Sequence, residues 1–412
     1  MEIDVAQLIP RHLSPVIARA CESFPAVLLT GPRQVGKTTL LCMCRADASY
    51  TTLDRIDVLA AARNEPEAFL SGLRKPAIID EVQYVPDLFR YVKVACDEDR
   101  RAKGRFLLTG SQRFQMMRGV DESMAGRAAI LELLGLSLRE ESRDAFRRPF
   151  VPDAAYVGER NPHPLASQEV WRRIWRGDLP ELAADERIDV GLYYQSYIQT
   201  YLQRDVRDLA QVGDMGKFMR FIELLAHLQG ALLNKSDLAN RLDIDFRTVD
   251  RWLSVLEASN VIYLLRPFSP NAGKRVVKTP KLYFLNSGLA AALLKLSTPE
   301  DAQRSERAGE LLEGFVVAEV LKSFLNENGR MPQLYFYRTS NGKEIDLVIE
   351  RGDVLHPVEV KKAEIARPGD TKAFAELDAV PHYRRGAGAV VCLANEALPL
   401  GNDTWTLPVW YI

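Results

Sequence analysis

Residues 31 to 39 read Gly31-Pro32-Arg33-Gln34-Val35-Gly36-Lys37-Thr38-Thr39, a complete G-x-x-x-x-G-K-[ST] loop with one more hydroxyl residue behind it. Glycines let successive backbone N–H groups turn toward an anion, and the positive end of a following helix adds to the pull. In such a loop Lys37 reaches the β- and γ-phosphates and the Thr38 hydroxyl takes Mg2+. These nine residues are the candidate contacts of ATP or GTP. Farther along, Pro76-Ala77-Ile78-Ile79 is an apolar run ending in Asp80 and Glu81. That pair suits hydrolysis: Asp80 at a strand tip holds the Mg2+ water shell, and Glu81 polarises the attacking water.

A second constellation lies in the last third of the chain. Glu313 falls in the amphipathic stretch that begins at Gly309, Asp346 in Gly342–Glu350, and Glu359 and Lys361 in Pro357–Lys362. As i and i+2 of one strand, Glu359 and Lys361 point to the same sheet face, where Asp346 on an adjacent strand can meet them. Two carboxylates to hold Mg2+ and a lysine to position hydroxide are what phosphodiester hydrolysis needs. Glu313, Asp346, Glu359 and Lys361 are therefore a candidate second metal site. The order Glu…Asp…Glu-x-Lys resembles the PD-(D/E)XK nuclease core, closest to the Holliday-junction resolvase type. Such folds also persist as binding or scaffolding modules.

Between the two constellations, Ser236–Leu242, a turn at Asp243–Asp245 and Phe246–Glu257 have helix-turn-helix spacing. Two apolar runs, Val261–Leu265 and Lys281–Leu285, would complete a winged helix. Arg247 and Arg251 on the second helix, with Lys274, Arg275 and Lys278 on the wing, are candidate DNA phosphate contacts. Asp250 and Glu257 on the same helix oppose groove reading, and winged helices also bind proteins.

The elements that must position these residues follow from the pattern. Ala26–Leu29, Pro76–Glu81, Arg105–Ser111 and the run after Arg127 are strands alternating with helical segments, so the first part is an α/β domain with a mainly parallel sheet. Residues 141–165 are an irregular Arg/Asp/Pro-rich connection, and 166–230 are helical. Trp171, Ile174, Trp175 and the tyrosines from Tyr193 to Tyr201 have the spacing of packing residues. The expected domains are 1–140, 141–215, 216–290 and 291–412. With a net charge of −1 over 412 residues, whole-molecule charge does not attract nucleic acid, and any contact must come from local basic patches. No apolar stretch reaches membrane-spanning length and no signal peptide is read at the start. The five scattered cysteines read as buried reduced thiols, so the expected compartment is the cytoplasm.

Taken in order, these segments resemble the AAA+-like ATPases that end in the domain of unknown function 4143. The resemblance is carried by GPRQVGKTTL at 31, IIDEVQ from Ile78, LLTGSQ from Leu107, MAGR ending at Arg127, the tyrosine segment ending in RDVRDL, KLYFLNSGL from Lys281, GELLEGFV from Gly309, and EIDLVIE with PVEVKK. Relatives usually have Asp where Asn286 stands. The resemblance implies an N-terminal P-loop NTPase sheet, a helical and winged-helix region, and a nuclease-like α/β domain. It favours ATP, with Mg2+. It also implies a γ-phosphate sensor at the end of the strand Arg105–Ser111 (Ser111 first, Thr109 second) and an arginine finger at Arg127 that serves a neighbouring subunit. The expected assembly is a homo-oligomer, a hexamer among the sizes to test. The expected function is ATP hydrolysis coupled to binding or remodelling of DNA. The alternatives are an ATP-controlled switch that contacts proteins and an ATP-gated DNA nuclease.

Overall fold

The computed structural model describes residues 8–110, 124–206, 212–270, 279–339 and 341–412. Ser111, Lys274, Arg275 and Lys278 lie outside them. The chain divides into two units, one of residues 1–136 with 258–260 and 325–330, the other holding the rest.

In the first unit the apolar runs form five parallel strands: β1 (Ala26–Thr30), β2 (Ser49–Thr52), β3 (Ala77–Asp80), β4 (Phe106–Gly110) and β5 (Ala128–Glu132). Every residue of β1, β3 and β4 is buried, as expected where helices cover both faces of a parallel sheet. On one face Leu28, Ile79, Phe106 and Leu108 pack with Phe89 and Val92 of the helix Leu88–Glu98. Each such side chain contributes roughly 1.5–3 kcal/mol when fully buried.

The strand order is β2-β3-β4-β1-β5. β4 thus lies between the strand feeding the phosphate loop and the strand carrying Asp80. Thr30 sits opposite Gly110, Ile79 opposite Leu108, and Thr52 opposite Asp80. These registers bring four strand ends to one carboxyl edge, where open α/β sheets bind ligands.

The second unit starts helical. Ser167–Arg176, Pro180–Ala184 and Val190–Tyr197 are α-helices, Ile198–Val206 is a π-helix, and Met215–His227 is α-helical again. Trp171, Ile174, Tyr194, Tyr197 and Tyr201 are buried. Tyr194, Tyr197 and Tyr201 stack edge to face in sequence, so the tyrosine stripe is packing. Lys235–Leu242 and Phe246–Ala258 follow as two helices.

Nine further strands form one mixed sheet: β6 (Ile262–Pro267), β7 (Lys281–Phe284), β8 (Gln333–Arg338), β9 (Glu344–Arg351), β10 (Val354–Lys361), β11 (Arg384–Arg385), β12 (Gly388–Cys392), β13 (Leu398–Gly401) and β14 (Thr404–Pro408). β6 and β7 are antiparallel, with Ile262 opposite Phe284, and β6 continues into the sheet by pairing with β8. β9 and β10 form a hairpin whose turn glycine, Gly352, has φ of +63°. The helix Ala308–Asn328 carries Glu313. Asn286 caps the helix Ser287–Leu293: its Oδ1 accepts from Leu289 N and from the Tyr194 hydroxyl, each at 2.9 Å. An amide oxygen caps a helix as well as a carboxylate does. No described helix is long and apolar enough to cross a membrane.

Candidate functional site

The phosphate loop is shaped by its glycines. Gly31 has φ of +144°, and a Cβ there would stand 2.0 Å from the Leu133 carbonyl oxygen, so no other residue fits. Gly36, in the left-handed region, precedes the helix Lys37–Cys44, whose N-terminus no side chain caps. The first-turn N–H groups are thereby left for an anion. Lys37 is buried, and its Nζ donates to Gly31 O at 3.0 Å and Pro32 O at 2.5 Å. The ammonium is folded back on the loop that would cradle the phosphates.

Burial lowers Lys37 from 10.5 to about 8, with Glu81 and Asp80 opposing the shift. The unfolded chain keeps this proton to higher pH, so the nucleotide-free fold gains stability as pH rises from about 8 toward 10.5. Nucleotide affinity moves the other way, because phosphate prefers the charged lysine. Titration across this range should weaken binding by up to about tenfold per pH unit above about 8, and calorimetry should record proton uptake on binding. A flat profile from pH 7 to 10 would remove Lys37 from phosphate contact.

Asp80 gathers three hydroxyls. Thr38 Oγ1 lies 2.9 Å from both of its oxygens, the Tyr50 hydroxyl donates at 3.1 Å, and the Thr109 hydroxyl also donates. Next to it Glu81 has φ of +58°, a left-handed conformation unusual for a non-glycine residue. Its Oε2 accepts from Gln83 Nε2. Burial raises the Glu81 carboxyl, with Gln83 and Lys37 pulling it back. Gln83 is itself buried, and its Oε1 has no partner among the described residues.

The oxygen set fits Mg2+, a hard cation usually bound by one or two carboxylates and substrate phosphates. Lys37, Thr38, Asp80 and Glu81 are thus together at the carboxyl edge, and Thr109 joins them on β4. Sequence reasoning missed Tyr50 and Gln83. Gln83 could have been found two residues past the acid pair. Tyr50 could not, because its approach to Asp80 depends on the pairing of β2 with β3.

Arg127 stands elsewhere. It immediately precedes β5, whose first residue pairs with Ala26 at the amino end of β1. Its guanidinium is bonded to Asp97 at 3.1 and 3.3 Å and to Ala125 O at 2.9 Å. It therefore faces away from its own phosphate loop.

In the second unit Arg247 and Arg251 are both exposed, one turn apart on the helix Phe246–Ala258. Asp250 is tied to Lys235 at 2.6 Å. The acidic set of the last third is also assembled, but around a lysine. Lys281 Nζ lies 3.1 Å from Glu313 Oε1, 2.6 Å from Glu344 Oε1 and 3.7 Å from Asp346 Oδ1. Lys361 pairs with Glu359 Oε1 at 2.6 Å, while Glu359 Oε2 is buried without a partner among the described residues. Burial, with Asp346 nearby, pushes the carboxyls of Glu313 and Glu359 upward. Among the described residues no group of three or more His, Cys, Asp or Glu side chains could hold a metal ion. Of the four expected metal-site residues, Glu313 and Asp346 thus share the Lys281 ammonium with Glu344, while Glu359 and Lys361 pair with each other. The spacing Glu…Asp…Glu-x-Lys carried no sign of Lys281 or Glu344.

Residues 23–141 match the AAA domain family, and residues 167–300 and 308–412 match two domains of unknown function, DUF8612 and DUF4143. The uncharacterized protein Rv2008c of Mycobacterium tuberculosis is 33% identical over 399 residues, covering 97% of this chain and 83% of its own. The uncharacterized protein MJ1637 of Methanocaldococcus jannaschii is 23% identical over 306 residues, 65% of this chain and 62% of that protein. Among solved structures, the Walker-type ATPase of Pyrococcus abyssi aligns with a TM-score of 0.42 at 14% identity, over 70% of this chain and 97% of that one. The five-stranded parallel sheet, the phosphate loop before its second helix and the near full-length match agree: the chain belongs to the family of P-loop ATPases in which an AAA domain is joined to a C-terminal DUF4143 domain.

Proposed function

We propose that the protein hydrolyses ATP at the loop Gly31–Thr39 and couples turnover to DNA bound by its second unit. The observation that carries the hydrolytic part is the convergence of Lys37, Thr38, Asp80 and Glu81 at one sheet edge. The loop N–H groups and Lys37 bind the phosphates, the lysine exchanging the carbonyls of Gly31 and Pro32 for phosphate oxygens. Thr38 and Asp80 would hold Mg2+, which would supply neutralisation of the phosphate charge. Glu81, kept partly desolvated and steered by Gln83, accepts a proton from water. Thr109 holds Asp80 and stands where a γ-phosphate sensor is expected, with Ser111 two residues on. Arg127 serves the loop of a neighbouring subunit, which makes the active unit an oligomer.

The DNA part rests on Arg247 and Arg251, exposed on the second of two helices that precede the β6–β7 hairpin, in the order of a winged helix. The test is ATP turnover with and without duplex, junction and single-stranded DNA, together with binding isotherms across salt. DNA should raise turnover. Arg247→Ala with Arg251→Ala should weaken binding on every sequence. It should also reduce the magnitude of the log–log salt slope by about 2, one unit for each phosphate that an arginine no longer neutralises. Turnover indifferent to DNA, with no binding at low salt, would leave the protein-contacting switch as the better reading.

A further inference from the structure

The acidic centre of the second unit is filled from within. Lys281 begins β7, and its side chain is only 4% exposed. Its ammonium has three N–H groups, and three carboxylate oxygens surround it at 2.6, 3.1 and 3.7 Å, from Glu344, Glu313 and Asp346. Tyr283, two residues on and so on the same face of β7, donates to Glu313 Oε1 at 2.5 Å. The other oxygen of Asp346 accepts from Val360 N at 3.0 Å. The carboxylates come from three separate places, the helix Ala308–Asn328, the body of β9 and its start at Glu344, yet they meet at one nitrogen.

A divalent ion would need those same oxygens at roughly 2.0–2.6 Å, with further positions open to water. An ammonium and such an ion cannot share the space, since like charges within a few ångströms repel strongly where little water screens them. The lysine also gains from staying: its three partners raise its proton affinity despite burial, and removing one member of such a set leaves an uncompensated charge.

We propose that Lys281 is the resident cation of this centre, its ammonium taking the position between Glu313, Glu344 and Asp346 that a divalent metal would require. The C-terminal domain then keeps a nuclease-like acidic arrangement as a structural ion cluster that joins β7 to β9 and the long helix. It has no metal-dependent cleavage while the lysine is in place. The inference does not depend on the ATPase reading, because any ion of the nucleotide site is common to wild type and to every variant of the test.

Mn2+ bound per full-length chain, counted by electron paramagnetic resonance, tests it. Four proteins are needed: wild type, Asp346→Asn, Lys281→Met and the double variant. Wild type and Asp346→Asn should bind equal numbers of Mn2+. Lys281→Met, which keeps the stem and drops the charge, should gain one bound Mn2+ that the added Asp346→Asn removes. A folded Lys281→Met that gains none would overturn the proposal, as would a wild-type ion lost on Asp346→Asn. If Lys281→Met does not fold, the wild-type comparison with Asp346→Asn decides alone: equal counts support the resident lysine, and a lost ion refutes it.

Discussion

Glu81→Gln should cut ATP turnover by about 10²–10⁴-fold, the usual worth of a positioned general base, while ATP still binds with nearly wild-type affinity. The amide keeps the size of the side chain but cannot take a proton from water. Binding persists because the phosphate contacts come from Lys37 and the loop backbone, which the substitution leaves alone. The left-handed backbone at Glu81 is no obstacle, since the replacement keeps an unbranched side chain at the same φ of +58°. Steady-state turnover and equilibrium nucleotide binding on the same preparation separate the two effects. Turnover above about a tenth of wild type would be too small a loss for a general base and would exclude Glu81 from that role.

Arg127→Ala should lower turnover by about 10³–10⁵-fold, as loss of an arginine finger does elsewhere. The effect should be rescued in trans. Arg127 lies at the amino edge of the sheet and the phosphate loop at the carboxyl edge, about 15 Å apart along strands that rise ~3.3 Å per residue. A side chain held there by Asp97 cannot serve its own loop. Folding does not explain the loss, because an ion pair this accessible to water contributes little to stability.

Neither Arg127→Ala nor Lys37→Ala should turn over alone. In a random equimolar mixture, roughly a quarter of head-to-tail interfaces would join an intact loop to an intact arginine. Activity near that fraction is therefore expected in the oligomer-sized species. A mixture as inactive as its components would remove the shared-site assignment and leave Arg127 as the partner of Asp97.

The phosphate loop was legible because its function is local. Gly31, Gly36, Lys37 and Thr38 need only a strand before them and a helix after them, and nine consecutive residues specify both. Asp80 and Glu81 were legible for a similar reason, as carboxylates at the end of an apolar strand. Arg247 and Arg251 were placed by helical periodicity, and both prove exposed. The acidic set of the last third was half legible: spacing put Glu359 and Lys361 on one face, and they do meet at 2.6 Å. What it missed is the lysine at the centre, since Lys281 reads as the polar first residue of an apolar strand.

The chain by itself thus determined that a nucleotide-binding loop and an acid pair are present, because each is written in adjacent residues whose backbone geometry follows from residue type. Only the tertiary structure decided that β4 inserts between β1 and β3 and brings Thr109 to Asp80, and that Tyr50 reaches the same carboxylate. It also placed Arg127 on the far edge and Lys281 among Glu313, Glu344 and Asp346. The physical reason is common to all four. Strand order and register are chosen by burial summed over the whole sheet, which no short window of sequence contains.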